Sequence, residues 1–145
     1  MARSTQPMLS AGELNEIMRG AFPDANVPIV DAVTDGGVQV RQPISDRHGR
    51  PGGTVSGPTM MSLADTGAWM AILSRIGPVV LAVTTSLHID FLRKPELSDL
   101  VADAQILKLG SRLAVVDVTL HSLDSLDVVA KAQVTYSIPP ENLTK

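Results

Sequence analysis

The segment Pro58–Arg75 restricts what this chain can fold into more than any other. Pro58 suits the first turn of a helix, where its missing N–H costs nothing, and Gly77-Pro78 stops that helix. Eighteen helical residues extend about 27 Å. Between Thr59 and Ile76 the only charges are Asp65 and Arg75, while Met60, Met61, Leu63, Ala64, Ala68, Met70, Ala71, Ile72 and Leu73 cover most of the circumference. A helix apolar nearly all round has to be buried, and this one is too short and broken to span a membrane. It is therefore a central helix that the rest of the chain must wrap.

The C-terminal half supplies the wrapper. In Leu81–Leu92 the apolar positions Leu81, Val83, Leu87, Ile89 and Phe91 alternate with Thr84, Ser86, His88 and Asp90. Leu100–Ile106, Ala114–His121 and Val128–Tyr136 alternate in the same way, and Pro139-Pro140 closes the last of them. Period-two segments punctuated by Lys94-Pro95, Gly110-Ser111 and Leu123-Asp124-Ser125 predict an antiparallel meander with one face buried. Upstream, Ser10-Ala11-Gly12-Glu13 has capping-box spacing and predicts a short helix to about Ala21. Pro28–Thr34 and Val38–Ile44 read as strands joined at Asp35-Gly36-Gly37. From Ser45 to Gly57 periodicity is lost; a loop of this length is either functional or a plain crossover. The expected architecture is one α+β domain over 1–145, with an N-terminal helical segment over 1–25.

Composition removes whole classes of function. The 145 residues include no cysteine, which excludes disulfides, thiolate nucleophiles and cysteine-held metals and suits a reducing cytoplasm. Net charge is −3 and no basic cluster exceeds Arg93-Lys94, so nucleic acid is not an expected partner. No apolar run reaches membrane-span length and the N-terminus lacks a signal-peptide core, which points to a cytoplasmic protein with no membrane partner. His48, His88 and His121 lack ligand spacing, so no metal site is expected. Phosphate-loop, dinucleotide, nucleophile-elbow and zinc-protease motifs are all missing.

Asp65 stands out. It shares one stripe of the apolar helix with Ser62, Thr66 and Trp69. An isolated carboxylate costs several kcal/mol to desolvate, so Asp65 is either employed in chemistry or held in a structural network. At the helix start, Gly57 permits close ligand approach and free N–H groups favour developing negative charge; equally, Gly57 could serve only the turn. If it is a site residue, a β-branched replacement should crowd the approaching carbonyl and strain any unusual backbone angle there.

Ser56-Gly57-Pro58 through Leu63-Ala64-Asp65-Thr66, then Thr84 to His88-Ile89-Asp90-Phe91-Leu92-Arg93 and Asp99-Leu100, resembles the hotdog-fold acyl-CoA thioesterases. The resemblance runs from about Gly53 to Ser137 and is strongest to the phenylacetate-pathway and 4-hydroxybenzoyl-CoA type. In that family a His-Gly-Gly precedes a helix bearing Leu-Ala-Asp, the acidic residue eight positions after the first glycine; Gly57 and Asp65 keep this spacing. The resemblance implies a long helix wrapped by a curved antiparallel sheet, and thioester hydrolysis to an acid and free coenzyme A. It implies Asp65 as nucleophile or general base, and the Gly57 amide as the group that polarises the carbonyl. Thr84 is implied as a positioner of water. Ser56 stands where the family has histidine and offers a smaller donor; Pro58 replaces the second glycine.

The resemblance further implies a site between two subunits of a homodimer or homotetramer, in keeping with an apolar helix and unpaired sheet edges that invite a second copy. No cofactor is expected, coenzyme A being part of the substrate. Arg93, Lys94 and Arg112 are candidate phosphate partners by charge, or else ordinary solvated residues. Two other readings stay open on the same fold: an idle acyl-CoA-binding module, suggested by the altered His-Gly-Gly, and a hydratase or dehydratase, whose usual Asn-Pro segment is missing.

Overall fold

The computed structural model describes residues 4–23 and 26–140; residues 1–3 and 24–25 of the expected N-terminal segment, and 141–145, lie outside the described residues. Helix α1 (Ala11–Ala21) begins at the expected capping box. Ser10 Oγ accepts from the Glu13 amide at 3.2 Å, and Glu13 Oε1 accepts from the Ser10 amide at 3.1 Å. Its apolar stripe, Leu14 and Met18, is buried.

Strands β1 (Ile29–Val33) and β2 (Gly37–Gln42) form the expected hairpin. β2 begins earlier than its alternation suggests and ends earlier too, since Pro43 has no N–H to continue the ladder. Gly37 belongs to the strand because the backbone of its neighbour passes too close for a side chain: a Cβ there would lie 1.7 Å from Ala104 O. The non-periodic stretch from Ser45 is not a bare loop. It holds a 3₁₀ turn (Asp46–His48) and a small hairpin of β3 (Gly49–Arg50) and β4 (Thr54–Val55). That hairpin turns at Gly52 and Gly53, whose φ of 101° and 75° favour glycine.

Helix α2 (Gly57–Ile76) follows, then β5 (Val83–Phe91), β6 (Leu100–Leu109), β7 (Leu113–Ser122) and β8 (Val128–Ser137). The six long strands make one sheet in the order β1-β2-β6-β7-β8-β5, every pair antiparallel. α2 lies across the sheet, mainly on β2, β6 and β7, so the expected wrapped central helix is present. Its neighbours are small. Ala102, Ala104, Ala114, Val116 and Val118 form the inner face of β6 and β7, and a Cβ at Gly67 would meet Ala102 Cβ at 3.4 Å. The alternation read for β6, β7 and β8 is the alternation found.

β5 departs from expectation. Its apolar residues were expected to be buried, yet Val83 is 58% and Phe91 49% exposed, and Leu81 lies outside the strand. The physical reason is position: β5 is the outermost strand and bonds only to β8. The opposite edge is covered. Asn15 of α1 donates to Val30 O at 3.0 Å and accepts from the Val30 amide at 2.8 Å, occupying one residue's ladder groups on β1. One edge is thus blunted and, among the described residues, the other is bare.

Arg75, expected only as a charge near the helix end, is 2% exposed. Its guanidinium donates to Thr5 O (2.9 Å), Gly37 O (3.1 Å), Ser74 Oγ (2.8 Å) and Thr34 O (2.5 Å), tying the N-terminal segment and the β1–β2 turn to the end of α2. Burial lowers its pKa, partly offset by Asp35. Arg75→Met keeps the stem but removes the donors to Thr5 O, Thr34 O and the buried Gly37 O. We expect a loss of roughly 2–4 kcal/mol, seen as a melting temperature lower by about 5–12 °C; an unshifted melting curve would show that the clamp contributes nothing.

Candidate functional site

The start of α2 leaves one amide free. Ser56 is the N-cap: its Oγ accepts from the Thr59 amide at 3.3 Å and shares a hydrogen bond with Thr59 Oγ1 at 2.8 Å, while Ser56 O accepts from the Met60 amide. Pro58 has no donor. Among the described residues nothing accepts from Gly57 N–H, so this first-turn donor points at whatever approaches the helix end. The Ser56 hydroxyl, a candidate site residue from sequence, is engaged in the cap. Gly57 has no positive φ, and a Cβ there would sit at ordinary contact, 3.6 Å, from the Phe91 ring. The expected strain at an unusual backbone angle is therefore absent, because residue 57 is simply the first helical residue; what a larger side chain there can do is crowd the amide.

Two turns on, Asp65 is half-buried, and its Oδ1 accepts from Thr84 Oγ1 at 2.6 Å and from Tyr136 Oη at 2.9 Å. Oδ2 takes no partner among the described residues. One carboxylate oxygen is thus fixed and the other is left to act. Simple alternation places Thr84 on the outer face of β5. The structure turns it inward because the register slips between Thr84 and Ser86, a bulge at Thr85 that changes which face the side chains take. Thr84 then pairs with Tyr136 and Leu87 with Val134, all on the face toward α2.

Tyr136 is the residue that sequence reasoning missed, read there as one more core position on β8. Its only signal was chemical: it is the single tyrosine of the chain, on an inward parity, and a buried phenol needs a partner. It is 4% exposed. Burial pushes its pKa well above the ordinary value, opposed by the Thr84 hydrogen bond and reinforced by the Asp65 charge and hydrogen bond. Tyr136 therefore stays a donor to the carboxylate.

Asp65, Thr66, Trp69, Thr84 and Tyr136 line a recess of about 390 Å³ that also touches Phe22 and Val83. A second recess, about 440 Å³, lies at the Gly57 end and is bordered by Met60, Phe91, Arg50, Arg93 and Lys94. Arg50 was not anticipated from sequence; the β3–β4 hairpin carries it there. Arg93 Nη1 donates to Val128 O at 2.7 Å. Arg112 is elsewhere: its Nε donates to Ile138 O at 2.8 Å at the Val83 end of the sheet, about 26 Å of strand from Phe91. Within one protomer it does not converge with Arg93 and Lys94. His48, His88 and His121 remain apart, accompanied respectively by Ser45, Asp90 and Asp103, and among the described residues no cluster suited to a metal ion occurs. No described helix is long and apolar enough to cross a membrane.

A group whose folded pKa is raised contributes stability that is complete below its unfolded value, about 10 for tyrosine, and is lost as pH rises toward the folded value. As the sole tyrosine, Tyr136 can be titrated alone. We expect no phenolate absorbance at pH values where a free tyrosine ionises, and its appearance only with unfolding. Ionisation with an ordinary midpoint in the folded protein would contradict the buried hydrogen-bonded phenol.

Residues 52–135 match the thioesterase superfamily. A solved structure from Silicibacter sp. TM1040, named a "putative thioesterase", is 40% identical with a TM-score of 0.86, over 94% of this chain and 96% of that one. A "putative esterase" of Halobacterium salinarum is 31% identical over 96 residues, 63% of each chain, so the match spans under two thirds of that relative's length. Thioesterase superfamily member 2 of zebra fish, 24% identical with a TM-score of 0.77 over 90% of this chain and 99% of that one, shares the fold.

Proposed function

Because this chain belongs to the thioesterase superfamily, we propose that it hydrolyses an acyl-CoA thioester to the free acid and coenzyme A, in the manner of the phenylacetate-pathway and 4-hydroxybenzoyl-CoA type. The observation that carries this reading is the Asp65 carboxylate, with Oδ1 held by two hydroxyls and Oδ2 unpartnered, on an otherwise apolar helix. Oδ2 takes a proton from water as the water oxygen attacks the carbonyl carbon. The C–S bond then breaks, and the proton passes to the departing thiolate. The Gly57 amide stabilises the oxyanion. Fixing one oxygen with Thr84 and Tyr136 keeps the other aimed.

Gly57 and Asp65 are eight residues apart on one helix, about 12 Å along its axis. A reacting carbonyl must lie about 3 Å from both the donor and the base, so the two groups serve one carbonyl only if they come from different copies. The bare edge of β5 supplies the means. Phe91, beside Gly57, is at one end of the strand and Thr84, bonded to Asp65, is near the other. Antiparallel pairing of β5 with its own copy about Leu87-His88 sets Thr84 of one protomer opposite Phe91 of the partner subunit. Gly57 of the partner subunit then faces Asp65. The protein is accordingly a homodimer, or a homotetramer built from such dimers, with two composite sites per dimer.

Asp65→Asn is nearly isosteric and keeps an acceptor but cannot take a proton. It is expected to leave the assembly folded and acyl-CoA binding intact while thiol release falls by about 10²–10⁴-fold. Lost stability with full turnover would instead make Asp65 structural, and no turnover by the parent on any acyl-CoA would leave only a binding module.

The composite site has its own check. Mixing and co-refolding Asp65→Asn with Gly57→Val subunits regenerates one intact site in each mixed dimer, so activity should return well above that of either variant alone. No recovery from demonstrably mixed dimers would place the donor and the base in one protomer.

A further inference from the structure

The two recesses differ in charge, and that difference orients the substrate. The one at Gly57 is bordered by Arg50, Arg93 and Lys94. The one at Asp65 has no cation among its described lining residues; it runs from the carboxylate along α2 to Trp69, with Phe22 beyond. A phosphate-bearing arm is attracted to the first and gains nothing in the second, where a carboxylate opposes it. In the proposed composite site, the Gly57 recess of one protomer and the Asp65 recess of its partner would flank the reacting carbonyl.

Resting on the thioesterase reading, we infer that the recess beside Asp65 receives the acyl group, and that Trp69 and Phe22 form its end wall and select compact acyl groups, short chains or aryl rings, over long unbranched ones. Trp69 sits one helical turn past Asp65 and is 8% exposed, so it is held by the core and does not swing aside. Phe22, at the end of α1, packs edge-on to it, with ring centroids 6.1 Å apart and planes at 70°. This is the favoured geometry for an aromatic pair, and the pair borders the recess about one turn of helix from the base. A short or planar acyl group fits between Asp65 and this pair against apolar surface, whereas a long chain runs into the indole.

Trp69 is the only tryptophan of the chain, so the wall reports on its own occupancy. The first measurement titrates Asp65→Asn protein with butanoyl-CoA, benzoyl-CoA and free coenzyme A while following tryptophan emission. The two thioesters should shift the emission and free coenzyme A should not. The second compares kcat/KM for butanoyl-, octanoyl- and palmitoyl-CoA in the parent, Trp69→Ala and Phe22→Ala. Phe22 is half-exposed, so its variant folds even if loss of the buried indole harms the other. The palmitoyl-to-butanoyl ratio should rise by about 10-fold or more in either variant, the scale of discrimination a hydrophobic pocket gives. An emission response to free coenzyme A equal to that of the thioesters, or a ratio unchanged in both folded variants, overturns the inference while leaving hydrolysis intact. A thioester-specific emission shift in a protein that hydrolyses none of them keeps the acyl recess and removes the thioesterase reading.

Discussion

The close seating of α2 on the sheet is the constraint on which the rest of the molecule depends. It is possible because the buried surfaces are small: Gly67 of the helix approaches Ala102 and Ala104 of β6, and Ala64, Ala68 and Ala71 of the helix and Ala114 of β7 are fully buried. With so little space between the layers, water cannot satisfy polar atoms turned into that interface, and those atoms take protein partners. Ser74 donates to Ala71 O, Arg75 spreads its donors over three carbonyls of two segments, and Asp65 accepts from Thr84 and Tyr136. The same packing that buries the helix therefore fixes the geometry of its one carboxylate. Thr34 Oγ1 alone among the described side chains is buried without a partner, beside the turn that Arg75 holds.

The two edges of the sheet are treated differently, and the proposed function rests on the difference. At β1, helix α1 uses Asn15 to occupy both ladder groups of Val30, and the register of β1 slips beside it, between Val30 and Ala32. At β5 no described segment covers the ladder, and apolar Val83 and Phe91 stand half exposed. A bare apolar edge is a liability unless it pairs. Here both halves of the candidate site are attached to that strand, the donor end through Phe91 and the carboxylate end through Thr84. Assembly and site completion are then one event in the proposed function.

The bulge at Thr85 links these points. It reverses the facing of β5 within one strand, so that Thr84 reaches Asp65 while Leu87 and Ile89 still pack on the core. A perfectly alternating strand could give one or the other. Side-chain parity is normally set by the hydrophobic pattern, and a bulge is the economical way to place one hydroxyl inside without sacrificing the apolar residues that follow.

Much of this was legible in the residues themselves. The largely apolar run from Thr59, the capping box at Ser10 and the alternation of β6, β7 and β8 fix a buried helix under an antiparallel sheet, because burial and periodicity are local properties of a chain. Asp65 was visible for the same reason: a lone carboxylate on a greasy helix is a local anomaly. The partner residues were not. Whether Tyr136 meets Asp65, whether Thr84 faces in or out, and whether Arg112 joins Arg93 and Lys94 depend on register, on a one-residue bulge and on which strand lies at the edge. Those are decided by pairings between segments dozens of residues apart, whose energies differ only once the whole sheet has closed around α2.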